Sequence, residues 1–115
     1  MVKITEIFHS IQGESTYAGR PCVFVRLTGC PLRCTWCDTA YAFYGGRDMT
    51  IDDIVNQVRA FDCDLVEVTG GEPLSQTESL PLLSRLCDEG FEVLMETSGA
   101  IDTAGVDRRV HVILD

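Results

Sequence analysis

Apolar residues in this chain recur with two different periods that alternate along it, and this restricts the fold more than any other feature. Cys22-Val23-Phe24-Val25-Arg26-Leu27 is β-branched and aromatic, the composition of a strand. Thr50-Ile51-Asp52-Asp53 opens like a helix, a threonine cap with an acid three residues on, and Ile54, Val55, Val58 and Phe61 follow at helical spacing. Residues 65–69 read as a strand that stops at Gly70-Gly71. A second helix carries Leu80, Leu83, Leu86 and Cys87 on one face until Gly90, and residues 91–96 and 110–114 are further strands. With a short apolar-alternating start over residues 3–8, the chain spells repeated βα units. Crossover helices join parallel strands, so the expectation is an α/β fold with a parallel sheet.

Parallel α/β folds place their chemistry at the carboxyl ends of the strands, where loops and helix N-termini converge. Every unusual motif here falls at such an end. The clustered cysteines follow the strand around Val25, Gly70-Gly71-Glu72-Pro73 follows the one around Val68, and Glu96-Thr97-Ser98-Gly99 closes the one around Leu94. Three motifs are therefore expected on one rim. The last strand reaches Asp115 with no helix after it, which reads as an open sheet edge and a chain cut short.

A chain of 115 residues suits one compact domain, here residues 1–115, with no repeat and no Ser- or Pro-rich linker. The formal charge of −9 argues against nucleic acid and anionic membranes as partners, since both attract clustered Lys and Arg. No apolar run approaches the roughly 18 residues of a membrane span, and the first residues lack a signal-peptide pattern. A soluble cytoplasmic protein acting on a small molecule is expected.

Six cysteines could suggest disulfides, but without an export signal the clustered ones read better as metal ligands. Cys30, Cys34 and Cys37 have the spacing C-x3-C-x2-C, which lets three thiolates on one tight loop reach three irons of a cubane. The fourth iron then stays open to bind a small molecule through oxygen and nitrogen. Zinc is the alternative, but it usually takes four ligands, and neither His9 nor His111 is suitably spaced. Cys22, Cys63 and Cys87 lack cluster spacing and read as structural.

The cysteine spacing, with Trp36 just before the last ligand, resembles the signature of the radical S-adenosylmethionine (SAM) superfamily. Gly70-Gly71-Glu72-Pro73 resembles its second signature, where close-approaching backbone and the Glu carboxylate hold the methionine amino group. The resemblance implies a partial (βα) barrel, incomplete in this chain, with a [4Fe–4S] cluster on Cys30, Cys34 and Cys37. It also implies SAM held by Trp36, Gly70, Gly71, Glu72, Glu96 and Ser98. An electron from the cluster then splits the sulfonium, and a 5′-deoxyadenosyl radical abstracts hydrogen.

Within the superfamily, Ile11-Gln12-Gly13-Glu14, Gly19-Arg20-Pro21, Phe24-Val25-Arg26 and Cys37-Asp38-Thr39 resemble the 7-carboxy-7-deazaguanine synthase family. Ser15 stands where that family usually has a glycine. The resemblance implies conversion of 6-carboxy-5,6,7,8-tetrahydropterin to 7-carboxy-7-deazaguanine with loss of ammonia, a carbon–nitrogen lyase reaction of queuosine biosynthesis. Ile11, Gln12, Gly13, Arg26 and Thr69 would bind the pterin, and Thr39 a Mg²⁺. Arginine suits a planar carboxylate because its fork makes two parallel charge-assisted bonds. An electron donor such as flavodoxin or ferredoxin is implied, and homodimerisation is left open. The same resemblance makes the chain the N-terminal part of a longer core domain. Two alternatives stand beside it: a glycyl-radical-enzyme activase, and an inactive cluster-binding fragment.

Overall fold

Side chains of a strand point alternately to its two faces, and the strand over Pro21–Leu27 sorts its residues accordingly. Val23, Val25 and Leu27 join the main core, whereas Cys22 and Phe24 join a second, smaller cluster on the other side. The computed structural model describes residues 2–11, 19–28, 47–70, 73, 76, 78–97 and 105–114. In chain order these form β1 (Val2–Ile11), β2 (Pro21–Leu27), β3 (Arg47–Met49), α1 (Ile51–Ala60), β4 (Leu65–Gly70), α2 (Ser79–Asp88), β5 (Glu92–Thr97) and β6 (His111–Leu114).

The strands build one sheet in the order β3-β1-β2-β4-β5-β6. As expected from the βα alternation, β2, β4, β5 and β6 are mutually parallel, so their carboxyl ends share one rim. The first strand adds what the local pattern did not specify. It pairs antiparallel with β2, and its other edge takes the three-residue β3, also antiparallel. An N-terminal hairpin thus extends a parallel sheet.

Both helices cover the face that carries Val23, Val25, Val66, Val68, Val93 and Met95. They insert Ile54, Val55 and Val58 from α1 and Leu82, Leu83 and Leu86 from α2 into that core. The Thr50 hydroxyl accepts a bond from the Asp53 N–H at 3.1 Å, the cap expected from the sequence. Phe61, placed on the helix face by its spacing, instead lies just past the helix end. It is 39 % exposed, because the chain reverses at Asp62 with φ 53°. On α2 the expected stripe is displaced: Leu82 is fully buried, while Leu80 and Cys87 pack at the margin. Its end is a Schellman turn, with Gly90 N–H donating to Cys87 O and Phe91 N–H to Leu86 O, and Gly90 taking φ +95°.

Candidate active site at the carboxyl rim

Two sequence-predicted residues, Arg26 and Thr69, are in-register neighbours on adjacent parallel strands, directly below the pair Leu27 and Gly70. Paired residues of parallel strands share a face, so both lie on the side opposite the helices. The Arg26 side chain is only 23 % exposed. Its Nη1 lies 3.4 Å from Glu6 Oε1 across the hairpin, and its guanidinium carbon sits 5.5 Å from the centre of the Phe8 ring. Phe8 in turn stacks on Phe24 at 5.2 Å. Stacking and the ion pair hold the fork above an aromatic floor, where a planar anion can meet it.

The ends of β2 and β4 touch each other through backbone. Gly70 has φ +118°, and a Cβ there would lie 2.3 Å from Leu27 O and 2.5 Å from Leu27 N. Only glycine permits that approach. Beyond β4, the Gln76 side-chain amide accepts from Lys3 N–H at 2.8 Å and donates to Lys3 O at 3.0 Å and to Thr28 O at 2.9 Å. Thr28 is also bonded to Thr5, hydroxyl to hydroxyl, at 2.7 Å.

Glu96 sits near the carboxyl end of β5, half-buried and beside Ile113, and Thr97 after it is buried. Ile11 goes elsewhere. Because β1 runs antiparallel to β2, it starts at the rim and ends opposite Pro21, so Ile11 lies at the far end of the hairpin from Arg26 and is 57 % exposed. Gln12, Gly13, Cys30, Cys34, Trp36, Cys37, Thr39, Gly71, Glu72 and Ser98 lie outside the described residues. A cavity of about 760 Å³ opens at the opposite end of the sheet from the rim, lined by residues that include His9, Arg59, Phe61 and, from the Gly19-Arg20-Pro21 segment, Arg20 and Pro21.

The remaining cysteines behave as core residues. Burial pushes the Cys22 thiol up to about 12, with the Glu67 charge adding to the shift, and burial likewise raises Cys87. The Cys63 thiol donates to Pro21 O at 3.3 Å. Among the described residues no group of side chains could hold a metal ion. Two polar residues on the site's strands and loops were not singled out from the sequence: Gln76, and Glu67, which is buried two residues before Thr69 on the same face. An acid inside an apolar strand was the available clue for Glu67. For Gln76 there was none, because its partners are distant in sequence.

Residues 24–115 match the family model of the radical SAM superfamily. The chain belongs to this superfamily. Members use a [4Fe–4S] cluster and SAM, and the chemistry of the donor set in this radical SAM chain fits the cluster: Cys30, Cys34 and Cys37 supply three soft thiolates. Among curated relatives, the 7-carboxy-7-deazaguanine synthase of Chlorobaculum tepidum is 56 % identical over 114 residues, spanning 99 % of this chain and 52 % of the relative. That of Koribacter versatilis is 52 % identical, spanning 99 % and 51 %. The crystal structure of QueE from Escherichia coli superposes with a TM-score of 0.88 at 27 % identity, covering 99 % of this chain and 59 % of that one. The mostly parallel sheet with helices is thus the radical SAM fold. The chain spans about half the length of the curated relatives it matches. No helix among the described residues is long and apolar enough to cross a membrane.

Proposed function

We propose that residues 1–115 are the N-terminal part of the single radical SAM core domain of a 7-carboxy-7-deazaguanine synthase, a cytoplasmic lyase that converts 6-carboxy-5,6,7,8-tetrahydropterin to 7-carboxy-7-deazaguanine with loss of ammonia. The observation that carries this reading is the in-register placement of Arg26 and Thr69 at the rim, one residue short of the close approach of Gly70 to Leu27. The relatives' shared name supports the same choice of substrate.

Cys30, Cys34 and Cys37 hold the cluster, and Trp36, Gly70, Gly71, Glu72, Glu96 and Ser98 hold SAM. Bound together, these groups supply the electron and the hydrogen-abstracting radical, and an electron donor of the flavodoxin or ferredoxin kind re-reduces the site. The chain's own contribution is orientation. Arg26 receives the pterin carboxylate through its fork, exchanging part of its pairing with Glu6 for a second carboxylate. The Phe8–Phe24 stack beneath excludes water from that contact and strengthens it. Thr69 offers a hydroxyl beside Arg26, and Gln12 and Gly13 present backbone groups to the ring, whereas Ile11, at the far end of the hairpin, does not take the role that the resemblance gave it. Thr39 contributes one oxygen to a Mg²⁺ that is otherwise held by substrate and water, a sparse ligand set suited to that ion.

The test is anaerobic turnover. The chain is reconstituted with iron and sulfide and supplied with dithionite, SAM and the carboxytetrahydropterin, and the deazapurine product is followed by its absorbance and mass. Product that depends on SAM and substrate is the expected result. SAM cleavage that is indifferent to the pterin would overturn the assignment.

A further inference from the structure

We infer that Gln76 is a positioning residue that fixes the loop after β4, which carries the Gly70–Pro73 motif, against the start of the cysteine loop after β2. The inference rests on the superfamily's cluster and cofactor and not on the pterin substrate. Two separate contacts tie the end of β4 and the segment after it to adjacent residues, one to Leu27 and one to Thr28. At one end Gly70 lies in backbone contact with Leu27, closer than any side-chain-bearing residue permits. At the other, Gln76 Nε2 donates to Thr28 O at 2.9 Å, six residues further along the chain. The loop therefore straddles Leu27–Thr28, and Cys30 is two residues beyond Thr28 in the chain.

The amide is well suited to this role. Its oxygen accepts Lys3 N–H while its nitrogen donates to both Lys3 O and Thr28 O, so it behaves like a peptide group of an extra strand laid on the start of β1. Thr28 is held from the other side by its own N–H to Lys3 O at 3.0 Å and by the hydroxyl pair with Thr5. Gln76 is rooted in turn. Its N–H donates to Pro73 O at 3.3 Å, and its carbonyl accepts Ser79 N–H at 3.0 Å, tying it both to the last residue of the motif and to the first residue of α2. One side chain thus links Thr28, two residues before Cys30 in the chain, to the segment of Pro73, the last residue of the motif assigned to SAM. A carboxylate in its place would keep the shape but lose both donated bonds and face two carbonyl oxygens.

The experiment uses the whole chain, reconstituted anaerobically, as wild type, Gln76→Glu, Gln76→Leu and, as a remote control on stability, Thr50→Ala. Iron content, melting temperature, and the electron paramagnetic resonance spectrum of the reduced cluster during SAM titration are recorded for each. Both Gln76 variants are expected to retain cluster iron. The SAM concentration that shifts their spectrum should rise about tenfold, the scale of losing one or two hydrogen bonds. Thr50→Ala should lower the melting temperature and leave that concentration unchanged. If the Gln76 variants lose only melting temperature and titrate with SAM like the wild type, the residue is a structural tie and the inference fails. Should Gln76→Leu not fold, the isosteric Gln76→Glu decides the matter. A wild-type spectrum that ignores SAM also overturns the inference, whereas a normal titration with no deazapurine product would count only against the substrate assignment.

Discussion

Arg26 shows what a single residue can and cannot announce. The resemblance of Phe24-Val25-Arg26 to a family segment marked it as a binding group, yet its partners Glu6 and Phe8 lie on another strand and had no local sign. A lysine there keeps the charge but loses the fork. Arg26→Lys should therefore weaken binding of a carboxylated pterin about tenfold by calorimetry, and an unchanged affinity would remove Arg26 from the site. The glycines Gly70 and Gly90 form a matched pair of tests, since both have positive φ but only Gly70 has a neighbour in the way. Gly90→Ala should cost about 1 kcal/mol in urea denaturation. Gly70→Ala should cost about 3 kcal/mol or more, because backbone must move as well. Equal costs would contradict the close approach to Leu27.

Cys22 gives a pH dependence at the same scale. Its thiol stays protonated in the folded chain up to about 12, while the unfolded thiol ionises near its ordinary value of 9.0. Between these the folded state binds the extra proton, so its stability falls as pH rises through that window. Stability measured from pH 9 upward should decline less steeply in Cys22→Ala than in wild type, and parallel curves would show that the buried thiol plays no part.

At the level of elements, the helices were legible because their signals are local: a cap, a stripe and a stop. Thr50→Ala removes the cap bond from the Asp53 N–H and should cost about 1 kcal/mol with no change in the denaturant slope. Phe61 was misplaced because a helical period says where apolar side chains would fall but not where the backbone leaves the helix. The antiparallel pairing of β1 with β2 and β3 was not legible for a related reason. Strand pairing is set by partners distant in sequence, and residues 3–8 alternate equally well in either direction.

For the whole molecule, alternation of period fixed a parallel sheet in advance. Chain direction then put the ends of β2, β4 and β5 side by side, so that three motifs remote in sequence follow neighbouring strands. Ile11 departs from that grouping, since the hairpin carries it to the opposite end. The second clue lost to the sequence is the tie between loops: Gln76 reaches across 48 residues to Thr28 and 73 to Lys3, and no pattern within either segment required it.

The most direct test of the account follows a single hydrogen. The reconstituted chain would be given 6-carboxytetrahydropterin deuterated at C6, and the 5′-deoxyadenosine released from SAM analysed by mass. Deuterium in the 5′-deoxyadenosine, together with deazapurine product, is the predicted result. Unlabelled 5′-deoxyadenosine formed at the same rate with and without the pterin would contradict the assignment of this rim to that substrate.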